Sequence, residues 1–255
     1  MTKRDAATGF DLSGLNVLVI GAELGIGRAV AWACAKQGAN LTLADLAAPD
    51  ALAVEIAAAH GSSVSAKAVD VTDRAAVEAL SAALDASGTS PDCLALTAGV
   101  IKYGKWLEQD PDDWEQDFRD LSDINVKGPI NVARAFLPGM QARGWGRFVL
   151  CGSIAGRMGG LMAEPHYAAS KGAVHALTRW LSLRYAKDGV SVNAVAPGAV
   201  ATRMTEGTDI DPARVPLGRK LTPDEIAWPI TYLLSPAASG MVGAVMDVNG
   251  GVIFS

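Results

Sequence analysis

A glycine-rich turn, Gly21-Ala22-Glu23-Leu24-Gly25-Ile26-Gly27, follows the apolar run Val17 to Ile20 and opens an alanine-rich, helix-forming stretch. Strand, glycine turn and helix in that order mark a place where backbone must come close to a pyrophosphate, at the positive end of a helix. The same alternation runs on to the C-terminus. Short apolar runs end in Gly, Asp or Ser and lead into helical stretches, as expected of a parallel sheet covered on both faces. The expected fold class is α/β, doubly wound, with about seven strands: Asn16–Ile20, Asn40–Asp45, Ser63–Asp70, Asp92–Thr97, Gly146–Cys151, Ser191–Ala196 and Ala244–Val248.

The chain has 255 residues, half of them hydrophobic, which suits one large α/β domain and leaves little room for a second. The polar stretch Met1 to Asp11 reads as a flexible tail without the apolar core of a signal peptide, and residues 12–255 as a single domain. A net charge of -5, with the 22 basic residues scattered, argues against nucleic acid and against anionic membranes as partners. No stretch approaches the roughly 18 unbroken apolar residues of a membrane span. Cys34, Cys93 and Cys151 are odd in number, far apart and each within an apolar segment, so buried free thiols and a reducing cytoplasm are expected. His60, His166 and His175 have no ligand spacing with each other or with the cysteines, and no metal is expected.

A second motif lies in Tyr167-Ala168-Ala169-Ser170-Lys171, whose i, i+4 spacing projects a phenol and an ammonium from one helix face. With Ser153 upstream, the chain offers a hydroxyl to hold a carbonyl, a phenol to move its proton and a cation to make that phenol more acidic. In doubly wound sheets ligands bind beyond the carboxyl ends of the strands, and Gly21, Asp45, Asp70, Gly99, Ser153 and Pro197 all fall at such ends. A nucleotide site beside a proton-transfer site suggests hydride transfer. The Gly/Pro/Thr-rich stretch Thr202–Pro223 has no strong period and reads as a lid.

Taken together, these residues resemble the short-chain dehydrogenase/reductase family from Leu15 to Gly251. The family's glycine spacing fits Gly21, Gly25 and Gly27, its Tyr-x-x-x-Lys falls on Tyr167 and Lys171, its serine on Ser153 and its helix asparagine on Asn125. Its Pro-Gly-x-Val-x-Thr falls on Pro197, Gly198, Val200 and Thr202, and Asp247-Val248-Asn249-Gly250-Gly251 is similar to its last strand exit. Ile20 departs from the family's usual threonine, and Leu96-Thr97-Ala98-Gly99 from its Asn-Asn-Ala-Gly, changes that bear on sheet packing. The Ser153 to Tyr167 gap is one residue longer than in many relatives, and the helix before Asn125, Asp112 to Ile124, about one turn longer.

The resemblance implies a single Rossmann-like domain and a nicotinamide cofactor held by Gly21, Glu23, Leu24, Gly25, Ile26, Gly27, Asp45, Asp70, Val71, Ala98, Gly99, Pro197, Gly198, Val200 and Thr202, with Tyr167 and Lys171. Asp45 stands 24 residues after Gly21, where a carboxylate accepts from ribose hydroxyls and repels a 2'-phosphate, which favours NAD. The other reading is that Asp45 caps the strand exit, and Asp70 could equally cap the next helix. Tyr167 would exchange the alcohol proton, Ser153 hold the substrate oxygen, Lys171 hold the ribose and tune the phenol, and Asn125 hold a water. Met158, Met162, Glu164, His166 and Met204 are candidate substrate contacts, with Trp106 beside them, or else packing residues. The family also implies a homotetramer, paired through the helices around Asp112–Met140 and Pro165–Lys187 and through the C-terminal strand. The expected activity joins a secondary alcohol and a ketone on a small cyclic, aromatic or polyol-type substrate. A 3-oxoacyl reductase and a non-catalytic NAD-binding regulator are the alternatives.

Overall fold

The computed structural model describes residues 9–160, 163–208 and 211–254. Seven parallel strands form one sheet in the order β3-β2-β1-β4-β5-β6-β7. They are β1 (Asn16–Ile20), β2 (Asn40–Asp45), β3 (Val64–Ala68), β4 (Cys93–Leu96), β5 (Gly146–Cys151), β6 (Val190–Pro197) and β7 (Val245–Val248). The α-helices between and around them are α1 (Gly25–Lys36), α2 (Asp50–His60), α3 (Arg74–Ala86), α4 (Pro111–Ser122), α5 (Gly128–Ala142), α6 (Ala155–Met158), α7 (Pro165–Tyr185) and α8 (Pro223–Leu234). Alternate residues of each strand enter opposite cores. Val17, Val19, Leu41, Leu43 and Ala95 pack with α1 and α8, while Leu18, Ile20, Leu94, Leu96 and Phe148 pack with α3, α5 and α7. Burial on both faces explains why the strands read as continuous apolar runs rather than alternating ones.

The strand order reverses at β1, which pairs with β2 on one side and β4 on the other. The chain ends splay apart there and leave a crevice beyond the carboxyl ends. Backbone bonds hold its floor: Gly21 N donates to Ala44 O (2.8 Å), and Thr97 N donates to Ile20 O (2.9 Å). The departures at Ile20 and Thr97 are compatible with this floor. The Thr97 hydroxyl donates to Ile20 O (2.9 Å) and Gly21 O (3.1 Å), so the stitching runs through a side chain one atom group shorter than an amide.

Several boundaries differ from the sequence-based expectation. β3 stops at Ala68 because the Asp70 carboxylate accepts from Thr72 N and Thr72 Oγ1, both at 2.8 Å, and folds the chain into a turn. The next helix is capped not by Asp70 but by Asp73, which accepts from Ala75 N and Ala76 N. β4 is shorter than expected, since Thr97 leaves the ladder, while β6 extends to Val190 and Pro197. The expected continuous helix before Asn125 ends at Ser122, and a π-turn, Asp123–Lys127, carries Asn125 into α5. Residues 9–11 are no free tail: Ala237 N donates to Gly9 O (3.1 Å), and Phe10 packs on Tyr232 at 5.4 Å between ring centres. Among the described residues no helix is long and apolar enough to cross a membrane.

Thr97→Val keeps the side-chain shape and removes both hydroxyl bonds to Ile20 and Gly21. Urea unfolding should show a loss of about 1–2 kcal/mol with the fold retained; an unchanged midpoint would remove Thr97 from the account of the crevice floor.

Candidate active site

Two adjoining cavities occupy the crevice. The larger, about 810 Å³, is lined by the glycine turn from Gly21 to Gly27 save Ala22, and by Asp45, Asp70, Val71, Ala98 and Gly99. The smaller, about 160 Å³, is lined by Ser153, Tyr167, Lys171, Pro197, Gly198 and Val200, and both share Ile26, Thr97, Gly99, Thr202 and Met204. Every candidate cofactor residue therefore lies on one or the other, as the placement of strand ends required. Gly21, at φ +86°, turns so close to the Ala98 backbone that a Cβ would overlap it, and a Cβ at Gly27 would overlap the Gly21 carbonyl. The bare backbone of this cradle fits a pyrophosphate, with α1 beginning at Gly25 behind it.

Asp45 ends β2 with one carboxylate oxygen accepting from Glu23 N (2.9 Å) and the other from Leu46 N (2.8 Å). It caps the strand exit and also lines the larger cavity, so both readings of this residue hold geometrically. The charged lining of that cavity is Glu23, Asp45, Asp70, Asp120 and Asp123 against Arg203.

α7 carries Tyr167 and Lys171 on one face, buried, with Lys171 Nζ 5.7 Å from the tyrosine ring centre. The ammonium donates to Cys151 O (3.1 Å) at the end of β5. Two residues on, Ser153 Oγ accepts from Ala155 N (3.1 Å) and keeps its own proton to donate. Asn125 grips Val100 by both backbone groups, Val100 N donating to Oδ1 and Nδ2 to Val100 O, each 2.9 Å. Its amide also donates to Ser170 Oγ (3.1 Å), and Ser170 in turn donates to Tyr167 O (2.8 Å). A Cβ on Gly99 would meet Asn125 Oδ1 at 3.2 Å and Lys171 Nζ at 3.3 Å, so glycine leaves the room in which these two groups approach.

Burial dominates the electrostatics. It pushes the Tyr167 phenol up to about 12, against a smaller opposing pull from the Ser153 hydroxyl. It also pushes the Lys171 ammonium down from its usual value, with Cys151 acting the other way. In the protein without cofactor the phenol thus lies above its ordinary value because desolvation outweighs the Ser153 hydrogen bond.

The weaker candidates separate. Met204 lines both cavities. Met158, Glu164, His166 and Trp106 line neither, and Met162 lies outside the described residues. Glu164 and His166 are buried, the histidine edge-on to Trp114 at 6.2 Å between ring centres, whereas Met158 and Trp106 are largely in solvent. Cys151 is half-buried rather than buried and lines the smaller cavity; all three cysteines are free. Within Thr202–Pro223, Leu221 bridges to Val200 and Lys220 Nζ donates to Thr205 O (3.0 Å), while residues 209–210 lie outside the described residues. The sequence reading missed Val100, Ile101, Tyr103, Ile154, Ala155 and Ala163 in the lining. They adjoin the flagged Gly99, Ser153 and Tyr167 in the chain, but loops have no period to show which side chains turn inward.

A family model described as enoyl-(acyl carrier protein) reductase matches residues 21–253. The chain belongs to the short-chain dehydrogenase/reductase family. It is 40% identical to a galactitol 2-dehydrogenase (L-tagatose-forming) of Cereibacter sphaeroides, over 97% of this chain and 98% of that one. The crystal structure of a short-chain type dehydrogenase/reductase from Mycobacterium marinum superposes with a TM-score of 0.91 at 29% identity, covering 98% of this chain and all of the other. A gluconate 5-dehydrogenase from Burkholderia cenocepacia, in complex with NADP and tartrate, has a TM-score of 0.86 at 28% identity, covering 95% and 96%. As a short-chain dehydrogenase/reductase, the chain is an NAD(P)-dependent enzyme acting on CH–OH groups.

Behind the family's serine, His175 packs so tightly on Gly152 that a Cβ there would lie 2.5 Å from its Nε2. Burial lowers His175 to about 4, helped by the charges of Arg157, Arg179 and Lys171 and opposed by Asp247. The folded protein therefore binds fewer protons than the unfolded chain between about pH 4 and 6.5. Its contribution is full above the unfolded value and lost as pH falls towards 4. His175→Gln should flatten the fall in stability across that window, by no more than about 3 kcal/mol, when urea midpoints are compared at pH 7 and pH 4.5. Parallel curves for the two proteins would contradict the assignment.

Proposed function

We propose that the enzyme interconverts a secondary alcohol and a ketone with NAD(H), the substrate being a small cyclic, aromatic or polyol-type molecule. The observation that carries this is the convergence of Ser153, Tyr167 and Lys171 on a cavity that adjoins the glycine cradle. When bound, the nicotinamide takes up or returns the hydride at the carbinol carbon and, oxidised, adds positive charge. Ser153 Oγ donates to the substrate oxygen and fixes it. Tyr167 Oη takes the alcohol proton in oxidation and returns it in reduction. A phenol raised by burial needs nearby positive charge before it yields a phenolate, and Lys171 beneath it supplies one such charge while holding the ribose. Asn125, through Ser170 and Val100, keeps the α7 face and the loop after β4 in register, and the family resemblance gives it a water to hold towards Lys171.

NAD is favoured over NADP because Asp45 and Glu23 line the cavity where the adenosine ribose would sit, and Arg203 is the single lining cation among the described residues. A 3-oxoacyl reductase would need a cluster of free cations at the mouth for an acidic carrier; Arg219 is paired with Glu225 and Lys220 is spent on Thr205 and Thr208, which leaves Arg203 on the lining. A homotetramer is supported by Phe118, Ile130, Trp180 and Leu183, apolar side chains exposed on α4, α5 and α7. The three free thiols support a cytoplasmic setting.

Tyr167→Phe should keep cofactor binding and lower turnover by at least ~10²–10⁴-fold. Lys171→Met should weaken both turnover and NAD affinity. Near-normal rates for Tyr167→Phe on a confirmed substrate would defeat the mechanism. Turnover with NAD should exceed that with NADP, and equal rates would remove the role given to Asp45. Light scattering at micromolar concentration should report a tetramer; a monomer would refute the pairing.

A further inference from the structure

Among the described residues, the wall of the smaller cavity is built almost wholly of hydrocarbon. Around Ser153, Tyr167 and Lys171 stand Val100, Ile101, Ile154, Ala155, Ala163 and Met204. The remaining polar side chains are mostly committed. Thr97 donates to Ile20 O and Gly21 O, and Thr202 and Thr205 close a capping box on the turn at Arg203–Thr205. Tyr103 is left as the one hydroxyl of the described lining with no bond and no part in the proton-transfer set. Glu164 and His166, whose polar atoms could have received substrate hydroxyls, are buried outside that lining while Ala163 between β5 and α7 forms the wall.

We infer that, among secondary alcohols, the site selects those whose carbinol carbon is carried on an apolar ring or chain and discriminates against polyols. The inference rests on the secondary-alcohol reading above and narrows it. It also sets the chain apart from the galactitol 2-dehydrogenase to which it is 40% identical. Hydroxyls on carbons next to the reacting one are carried into the cavity with it. Each loses its water and meets hydrocarbon, and a hydrophobic pocket rejects one unpartnered hydroxyl by about 10²-fold at most.

The test compares kcat/KM with NAD for cyclohexanol, cyclohexane-1,2-diol and galactitol, and with NADH for cyclohexanone. Cyclohexanol should exceed the diol by roughly 10–10²-fold, and galactitol should be poorer still. Ala163→Ser, which adds a hydroxyl to a wall residue that lines the smaller cavity and not the larger one, should narrow the gap between cyclohexanol and the diol several-fold, with NAD affinity unchanged. A gap unchanged in that variant, or a wild-type preference for the diol or galactitol, overturns the inference and leaves the secondary-alcohol reading standing. Failure of every alcohol and of cyclohexanone to react would overturn both.

Discussion

The active site depends on the burial of a phenol and an ammonium on the same face of α7. Burial shifts each away from its ordinary value: the phenol is pushed up to about 12 and the ammonium is pushed down. A buried cation is tolerable only where a dipole meets it, and the carbonyl of Cys151 does so at 3.1 Å. That carbonyl is available because β5 ends there, so the position of the ammonium is set by the length of a strand. The tyrosine is carried one helical turn away on the same rigid element.

The rest of the sheet supplies positions rather than chemistry. Reversal of strand order at β1 opens the crevice, and the bonds from Thr97 to Ile20 and Gly21 close its floor. The glycine turn can lie against Ala98 only because Gly21 has no side chain to collide with it. Asn125 then fixes the loop after β4 by gripping both backbone groups of Val100, and through Ser170 it ties that loop to α7. The π-turn coincides with this grip, an extra backbone residue per turn at a site where a side chain must be re-aimed. Cofactor cradle and proton-transfer pair are thus held to one another by strand ends that share hydrogen bonds.

Much of this was legible in the sequence because it follows from spacing. Apolar runs with no alternation give a sheet buried on both faces, and β1, β2 and β5 begin and end where those runs do. The i, i+4 pair Tyr167 and Lys171 needed only a helix to share a face. What was not legible depends on competition between distant groups. Asp70 and Asp73 are alike as helix caps in sequence, and the amide and hydroxyl of Thr72 together hold Asp70 in a turn. The spacing of Tyr167 and Lys171 shows that they share a face, but the burial that pushes the phenol up is something no spacing reports. Glu164 and His166, at the start of α7, looked as close to the substrate as Ala163 does, since nearness to Tyr167 in the chain carries no information on which side chains face the cavity.

The account's central claim is that burial holds the Tyr167 phenol protonated until positive charge arrives beside it. Ultraviolet titration of the phenolate, taken as the difference between the wild-type protein and Tyr167→Phe, isolates this one tyrosine from the other three. The account predicts ionisation well above the ordinary tyrosine value of about 10 in the free protein, and a clear downward shift when NAD is added. Ionisation at or below the ordinary value without NAD, or a value that NAD leaves unmoved, would contradict it.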